Sequence, residues 1–295
     1  MREFKILTDT CSNLSAELRQ KYGIDHVPMN FVFDGEEHVA SLDWEEYTPK
    51  AYYDLMRNGK IIKTTQVPGE RYIEVFNKYV EEGKDVLYVA CSSALSGSVN
   101  TATVIAKEIM EQHPEAKIVC VDALISGMGE GALAVKAAEM KNEGKTIEET
   151  AEWLEKNKLC YNQTATVENL NYLRRAGRIK AAAAFFGNIF GVKPIIISDI
   201  KGDNVAVKKV KGRKASFAEI VAQIKENVVN PEEQTLYIDH ADSEEDAIVL
   251  KEMIEKEVAF KNISIGYIAP IMGASVGPGT VAAYYYGKEV TYCGE

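Results

Sequence analysis

A serine-rich turn is the segment of this chain best suited to bind a charged group. It runs from Cys91 to Ser98, between an apolar run, Asp85 to Ala90, and an amphipathic segment that begins near Val99. This order predicts a strand, a polar turn and the start of a helix. Hydroxyls and backbone N–H groups there point beyond the strand's carboxyl end, where the helix dipole favours negative charge. The turn therefore predicts an anion site, although serine also caps helices for local reasons.

Three further turns carry small hydroxyl or glycine residues after apolar runs. They are Asp9-Thr10-Cys11-Ser12, Lys63-Thr64-Thr65-Gln66 and Gly273-Ala274-Ser275-Val276-Gly277-Pro278-Gly279. If the first two follow strands of the same parallel sheet as the serine-rich turn, all three lie at one carboxyl edge, where ligands bind. We therefore predict that they converge. Asp9 is either a general base or metal ligand, or an ordinary turn residue.

Arginines cluster around a glycine later in the chain. Arg174, Arg175 and Arg178 surround Gly177, which we expect to end a helix. They predict a guanidinium held in place for an oxyanion or a phosphate, or else a basic last turn that offsets the helix dipole. The sequence has no Gly-x-Gly-x-x-Gly fingerprint, no P-loop lysine and no Gly-x-Ser-x-Gly elbow. It therefore offers no standard catalytic motif.

Length and composition narrow the class of protein. A chain of 295 residues is long enough for two domains, and 46% apolar with 26% charged residues is typical of a globular protein. The formal charge of −10 argues against nucleic acid and against more than transient contact with an anionic membrane. Five scattered cysteines, with no C-x-x-C pair, indicate a reducing cytoplasm. No signal peptide or membrane span is expected.

The order of predicted elements gives the fold class. Strand-like and helix-like segments alternate in the first half, which predicts a parallel sheet covered by helices on both faces. The second half contains a hairpin-like pair of strands around the turn 201–204, which predicts a mixed sheet. We expect an α/β protein with an N-terminal three-layer α/β/α domain, residues 1–160, and a C-terminal mixed-sheet α/β domain, residues 161–295.

Taken together and in order, the motifs resemble the DegV family of bacterial fatty-acid-binding proteins. The resemblance covers nearly the whole chain. It rests on Lys5-Ile6-Leu7-Thr8-Asp9-Thr10, Thr64-Thr65-Gln66-x-Pro68, Ser92-Ser93-x-Leu95-Ser96-Gly97, Tyr172-Leu173-x-x-x-Gly177-Arg178-Ile179, Val192-Lys193-Pro194-Ile195 and Gly277-Pro278-Gly279. It implies a two-domain α/β protein that is not itself an enzyme. Such a protein buries one long-chain fatty acid between its domains and presents it to a separate kinase, which forms an acyl phosphate.

The resemblance also assigns roles to residues. Thr64 and Ser93 would hydrogen-bond the carboxylate, and Ser275 and Gly273 would also bind it. Arg178 would assist phosphoryl transfer or kinase docking, and the basic stretch 211–213, including Arg213, matches a family region of similar character. Many members have a histidine where this chain has Ser275, and serine cannot carry its positive charge. No cofactor or metal is implied.

Apolar segments provide candidates for an acyl tunnel. They lie at 181–190 and 128–135 and include Phe185, Phe186, Ile189 and Met128, although ordinary core helices have the same composition. Two other functions stay open at this point. One is an enzyme acting on a small phosphorylated or hydroxylated metabolite, with the serine turns as its phosphate site. The other is a lipid-sensing protein that signals through domain closure.

Overall fold

The computed structural model describes residues 2–180 and 191–294. The strands are β1 (Phe4–Asp9), β2 (Ile24–Val27), β3 (Asn30–Phe33), β4 (Glu36–Val39), β5 (Lys63–Thr65), β6 (Asp85–Ala90), β7 (Ile118–Asp122), β8 (Tyr161–Thr166), β9 (Val192–Ser198), β10 (Asn204–Lys211), β11 (Thr235–His240), β12 (Asn262–Tyr267) and β13 (Val281–Tyr286). The α-helices are α1 (Ala16–Tyr22), α2 (Pro49–Arg57), α3 (Gly69–Glu81), α4 (Ser98–Gln112), α5 (Met128–Asn142), α6 (Ile147–Asn157), α7 (Leu170–Ala176), α8 (Arg213–Asn227), α9 (Glu244–Glu255) and α10 (Pro270–Val276).

A four-stranded parallel sheet, in the order β2-β1-β6-β7, organises the first half of the chain. Successive residues of a strand face opposite sides, so Leu7 and Tyr88 pack into one core while Ile6 and Leu87 pack into another. All six residues of β6 are buried, as expected for a strand covered on both faces. The predicted three-layer arrangement is confirmed.

The segment Lys63-Thr64-Thr65-Gln66 does not follow a strand of this parallel sheet, and that expectation was wrong. It contains β5, which pairs antiparallel with β3 in a separate three-stranded sheet of order β4-β3-β5. The strand has only three residues, and both Lys63 and Thr65 are exposed. Such a segment lacks the apolar surface that a strand covered on both faces requires. It pairs instead with the free edge of the β3–β4 hairpin.

A mixed six-stranded sheet, in the order β10-β9-β8-β13-β11-β12, contains the described strands that follow residue 160. The predicted hairpin is confirmed as β9 and β10, which pair antiparallel, whereas β11 and β12 pair parallel. Sequence analysis did not identify the central strand β13 or the short helix α10 that precedes it. The division into domains 1–160 and 161–295 stays a prediction.

Local signals fixed several helix ends as expected. Ser15, Thr48 and Thr146 accept hydrogen bonds at the starts of α1, α2 and α6, and the last forms a complete capping box. Gly177 ends α7 with a φ of 67°, a conformation that favours glycine. In the part of the chain described here, no helix is both long and apolar enough to cross a bilayer.

Candidate functional site

Two adjoining cavities lie where β5, α7 and α10 meet. The first, here called the basic cavity, has a volume of about 250 Å³, and the second, here called the apolar cavity, has about 150 Å³. Three side chains line both: Thr64, Arg178 and Ser275. The structure therefore brings together three of the residues predicted from sequence, at the junction of the two cavities.

Thr64 and Ser275 offer hydroxyls at this junction. Thr64 occupies the middle of β5, where its neighbours on either side are exposed and its own side chain is half-buried. Ser275 lies in α10 and is also half-buried. Neither hydroxyl hydrogen-bonds to another of the described residues. Both are therefore available as donors to an anionic ligand.

Arg178 is held in place by carbonyl groups on two segments. Its Nη1 donates to the Ala176 carbonyl at 2.6 Å and its Nε to the Leu95 carbonyl at 3.3 Å. Leu95 belongs to the serine-rich turn, so the guanidinium ties the end of α7 to that turn. The side chain is exposed, and no carboxylate within the described ranges forms an ion pair with it.

Positive charge surrounds the basic cavity. Lys63, Arg175 and Arg178 line it, and none of the described residues that line it is acidic. The Arg175 guanidinium stacks over the Tyr172 ring, 4.8 Å from the ring centre. In a chain of net charge −10, such a cluster makes the local potential positive and attracts an anion.

Apolar side chains from four parts of the chain line the apolar cavity. They are Met29, Leu95, Leu173, Ile271, Met272 and Val276. The thiols of Cys11 and Cys91 line it as well. Methionine packs adaptably around irregular apolar shapes. The wall therefore suits a flexible hydrocarbon next to the charged junction.

Helix α2 fixes the position of α10. The Tyr52 hydroxyl donates to the Pro270 carbonyl at 2.7 Å, and the Tyr53 hydroxyl donates to the Ile268 carbonyl at 2.6 Å. Gly273 packs directly on Tyr53, because a Cβ there would lie 2.5 Å from the tyrosine oxygen. The Gly273 N–H donates to the Ala269 carbonyl. Gly273 therefore provides space for close packing against Tyr53, and its contact with the carboxylate stays a prediction.

A second link joins the parallel sheet to the mixed sheet. The Asn13 amide donates to Asp239 at 2.8 Å, and its oxygen accepts from the Ala269 N–H at 3.0 Å. Asp239 is buried, and burial raises its pKa to about 7 despite the hydrogen bond from Asn13. Because Ala269 directly precedes α10, this link also sets where Ser275 lies.

Asp9 stabilises the two turns that follow β1 and β6, and it lines neither cavity. One carboxylate oxygen accepts from the Cys11 N–H at 2.8 Å, and the other accepts from the Cys91 N–H at 3.1 Å and the Tyr88 hydroxyl at 2.8 Å. Burial raises its pKa, while these hydrogen bonds lower it. Of the alternatives for Asp9, its position favours the turn residue.

Other residues predicted from sequence lie outside the two cavities. Ser93 is exposed and its N–H donates to Asp122, while Ser96 of the same turn lines the apolar cavity. Met128 is buried in the core between the parallel sheet and its helices. Arg213 pairs with Asp246 and donates to the Gly279 carbonyl, so it supports the Gly-Pro-Gly loop. Phe185, Phe186 and Ile189 lie outside the described residues.

Several cavity residues had not been singled out as ligand contacts. Cys11, Cys91 and Gln66 belong to the motifs quoted above, so their places after strands were an available signal. Met29 and Met272 gave no signal, because isolated methionines in apolar runs are indistinguishable from core residues. Only the packing of β3 and α10 brings them to the cavity.

The fold and the two cavities define an α/β protein with a parallel sheet, a mixed sheet and a small antiparallel sheet, in which a basic cavity adjoins an apolar cavity. The chain belongs to the DegV family, since the model of that family, described as one of uncharacterised proteins, matches residues 3–288. A DegV domain-containing protein from Clostridium perfringens is 38% identical over 289 residues, which cover 97% of this chain and 98% of the relative. One from Streptococcus pyogenes is 27% identical over 285 residues, with 97% and 98% covered.

Solved structures of the same family share this fold. A DegV lipid-binding protein from Thermotoga maritima superposes with a TM-score of 0.86 at 27% identity, covering 98% of this chain and 100% of that one. A fatty-acid-binding DegV protein from Thermus thermophilus gives 0.86 at 26% identity, with the same coverage. DegV of Bacillus subtilis, a fatty-acid-binding protein, gives 0.80 at 25% identity, again over 98% and 100%. The family resemblance and the fold class are confirmed.

Proposed function

We propose that this protein binds one long-chain fatty acid, with the carboxylate at the junction of the two cavities and the acyl chain along the apolar cavity. The observation that carries the proposal is the placement of Thr64, Ser275 and Arg178. Two free hydroxyls and a guanidinium lie where the basic wall meets the apolar wall. A ligand with an anionic head and a long apolar body matches both walls at once.

The energetics favour such a ligand. Burial of each CH₂ group contributes ~0.8 kcal/mol, so a long acyl chain provides on the order of 10 kcal/mol before association costs are subtracted. A small polar metabolite does not gain free energy from burying CH₂ groups, and it leaves the six apolar side chains of the cavity uncovered. The fatty-acid binding attributed to the Thermus and Bacillus relatives supports the same assignment.

We further propose that the bound acid is presented to a separate kinase. Arg178 lies at the carboxylate junction, is exposed, and forms no ion pair with the described carboxylates. A guanidinium so placed is able to stabilise charge on a transferring phosphoryl group. No residue of the chain is assigned a catalytic role, so the protein acts as a binding subunit.

Solvent extraction tests the central proposal. The purified protein is denatured and extracted, and the extract is examined by mass spectrometry. We expect about one long-chain fatty acid per chain, because the apolar cavity retains it through purification. Recovery of polar metabolites alone, or of lipid far below one per chain, would contradict the proposal and favour the metabolite enzyme.

A further inference from the structure

Two cysteines lie just beyond the carboxyl ends of neighbouring strands. Cys11 follows β1 by two residues, and Cys91 follows β6 directly. The two strands are paired in parallel. Both side chains are buried, with 4% and 1% of their surface exposed, and both line the apolar cavity.

The two thiols are neighbours on the cavity wall. The Cys91 thiol raises the pKa of the Cys11 thiol, and the Cys11 Sγ lies 3.6 Å from the Met29 Sδ. The Cys11 thiol has a single proton, so it donates to only one of these sulfurs at a time. Three sulfur atoms therefore converge on one wall of the cavity.

The backbone holds the pair in this arrangement. The two oxygens of the Asp9 carboxylate accept the N–H groups of Cys11 and Cys91, at 2.8 Å and 3.1 Å. A disulfide needs an S–S distance of ~2.05 Å and Cα atoms separated by roughly 4.4–6.8 Å. Paired strands lie about 4.8 Å apart, and the shared Asp9 carboxylate keeps the two backbone segments close just beyond the ends of β1 and β6.

We propose that Cys11 and Cys91 are a reversible disulfide-forming modification site whose access is controlled by the ligand in the apolar cavity. The co-reactant is a hydroperoxide. One cysteine sulfur takes an oxygen from the peroxide, which leaves as an alcohol or as water, and becomes a sulfenic acid. The second thiol displaces that oxygen as water and the S–S bond forms, so two thiols are oxidised and one peroxide is reduced.

The control by ligand rests on the proposed function, because an acyl chain in the apolar cavity covers both sulfurs. The neighbouring Cys91 thiol, burial and the nearby Asp9 raise the pKa of the Cys11 thiol. Since the thiolate is the nucleophile, reaction in the empty protein is slow and needs excess peroxide. A lipid bound in the apolar cavity then blocks the remaining access of peroxide to the two thiols.

Peptide mapping after peroxide treatment tests the inference. Delipidated full-length protein is incubated with excess hydrogen peroxide, alkylated and digested without reductant. We expect a peptide pair linked through Cys11 and Cys91 that disappears after reduction by dithiothreitol, and that does not form in Cys91→Ser. Palmitate at 100 times its dissociation constant leaves about 1% of the protein empty, so linkage should slow roughly 100-fold.

Cys293 provides an internal reference, because it is exposed and its alkylation should not change with palmitate. Absence of the linked peptide in the delipidated protein overturns this inference alone. If the linked peptide forms at an unchanged rate while calorimetry shows that palmitate is bound, the proposed control of access by the ligand is overturned. Failure of palmitate to bind in the same titration overturns the proposed function instead.

Discussion

At the scale of single residues, the side chains at the junction of the cavities suit two different tasks. These are binding of the fatty-acid carboxylate and its presentation to the kinase. Thr64 and Ser275 offer neutral hydroxyls that suit a resting carboxylate. Arg178 offers a charge that suits a phosphoryl group during its transfer. Changes at these residues should therefore affect different measurements.

Thr64→Val should weaken fatty-acid binding without disturbing the fold, because valine keeps the shape and removes the hydroxyl. A hydrogen bond to a charged group contributes roughly 1.5–3 kcal/mol, which corresponds to an affinity loss of about 10- to 100-fold. Isothermal titration calorimetry with palmitate measures this loss of affinity. Thr103→Val is the matched control, since that hydroxyl bonds to the Val99 carbonyl within α4. Equal affinities for both variants would place the carboxylate elsewhere.

Arg178→Ala should retain the fatty acid and lose most acyl-phosphate formation in an assay reconstituted with the partner kinase. The transferring phosphoryl group needs cationic stabilisation more than the ground-state carboxylate does. Arg174→Ala is the control, because that residue is exposed on α7, four positions before Arg178, and lines neither cavity. Loss of lipid from Arg178→Ala would make the guanidinium a carboxylate ligand.

Ser275→His should raise acyl-phosphate formation in the same assay if the absence of an imidazole at that position limits the rate.

At the scale of elements, the contact between α2 and α10 positions one wall of both cavities. Tyr52 and Tyr53 bind carbonyl groups at and just before the start of α10, and Gly273 lets the two helices approach closely. Helix α10 has only seven residues, too few to be stable alone. Its place depends on these tertiary contacts.

Gly273→Ala should therefore displace α10 and weaken fatty-acid binding. The added Cβ would lie 2.5 Å from the Tyr53 oxygen, and overpacking of this kind costs roughly 1–3 kcal/mol of unfolding free energy. Urea denaturation and palmitate titration measure the two effects. Gly69→Ala is the control, because its nearest contact would be an ordinary 3.5 Å. Addition of Tyr53→Phe should restore part of the loss, and strictly additive effects would show that the two positions do not interact.

At the scale of the whole molecule, a buried hydrogen-bond network joins the two large sheets. Asp239 lies on the mixed sheet, Asn13 follows β1 of the parallel sheet, and Ala269 precedes α10. The carboxyl group has a pKa of about 7 because burial disfavours its charged form. Helix α10, which lines both cavities, is therefore linked to a group that titrates near neutral pH.

The stability of the protein should fall as the pH rises from about 4 to about 7 through this group. The folded state keeps the Asp239 proton up to a pKa of about 7, whereas the unfolded chain loses it near ~3.9. Across this pH range, the unfolding free energy should fall by on the order of 4 kcal/mol for a buried group. Asp239→Asn removes this pH dependence, so the stability of the variant relative to wild type should increase across this range.

Urea denaturation of both proteins at pH 5, 6, 7 and 8 checks the sign. Asp9 and Glu130 also have raised pKa values because of burial, but they are present in both proteins and cancel in the difference. A difference in unfolding free energy that does not change with pH would contradict the assignment to Asp239.

The sequence by itself determined the local features and the order of the motifs. Capping residues such as Thr146 and the left-handed Gly177 act through their own turns, so their effects do not depend on distant residues. The apolar run 85–90 is long enough to specify a strand covered on both faces. The ordered motifs were together specific enough to indicate the DegV family.

Tertiary structure alone decided which of those residues meet. Thr64 reaches the junction from a small antiparallel sheet rather than from the predicted parallel one, because three residues carry too little apolar surface to fix their partner. In the serine-rich turn, Ser96 and not Ser93 faces a cavity. Cys11 and Cys91 are 80 positions apart and meet only because β1 and β6 are neighbours. Contacts of this kind depend on pairing and packing between distant segments, which periodicity along a single chain does not encode.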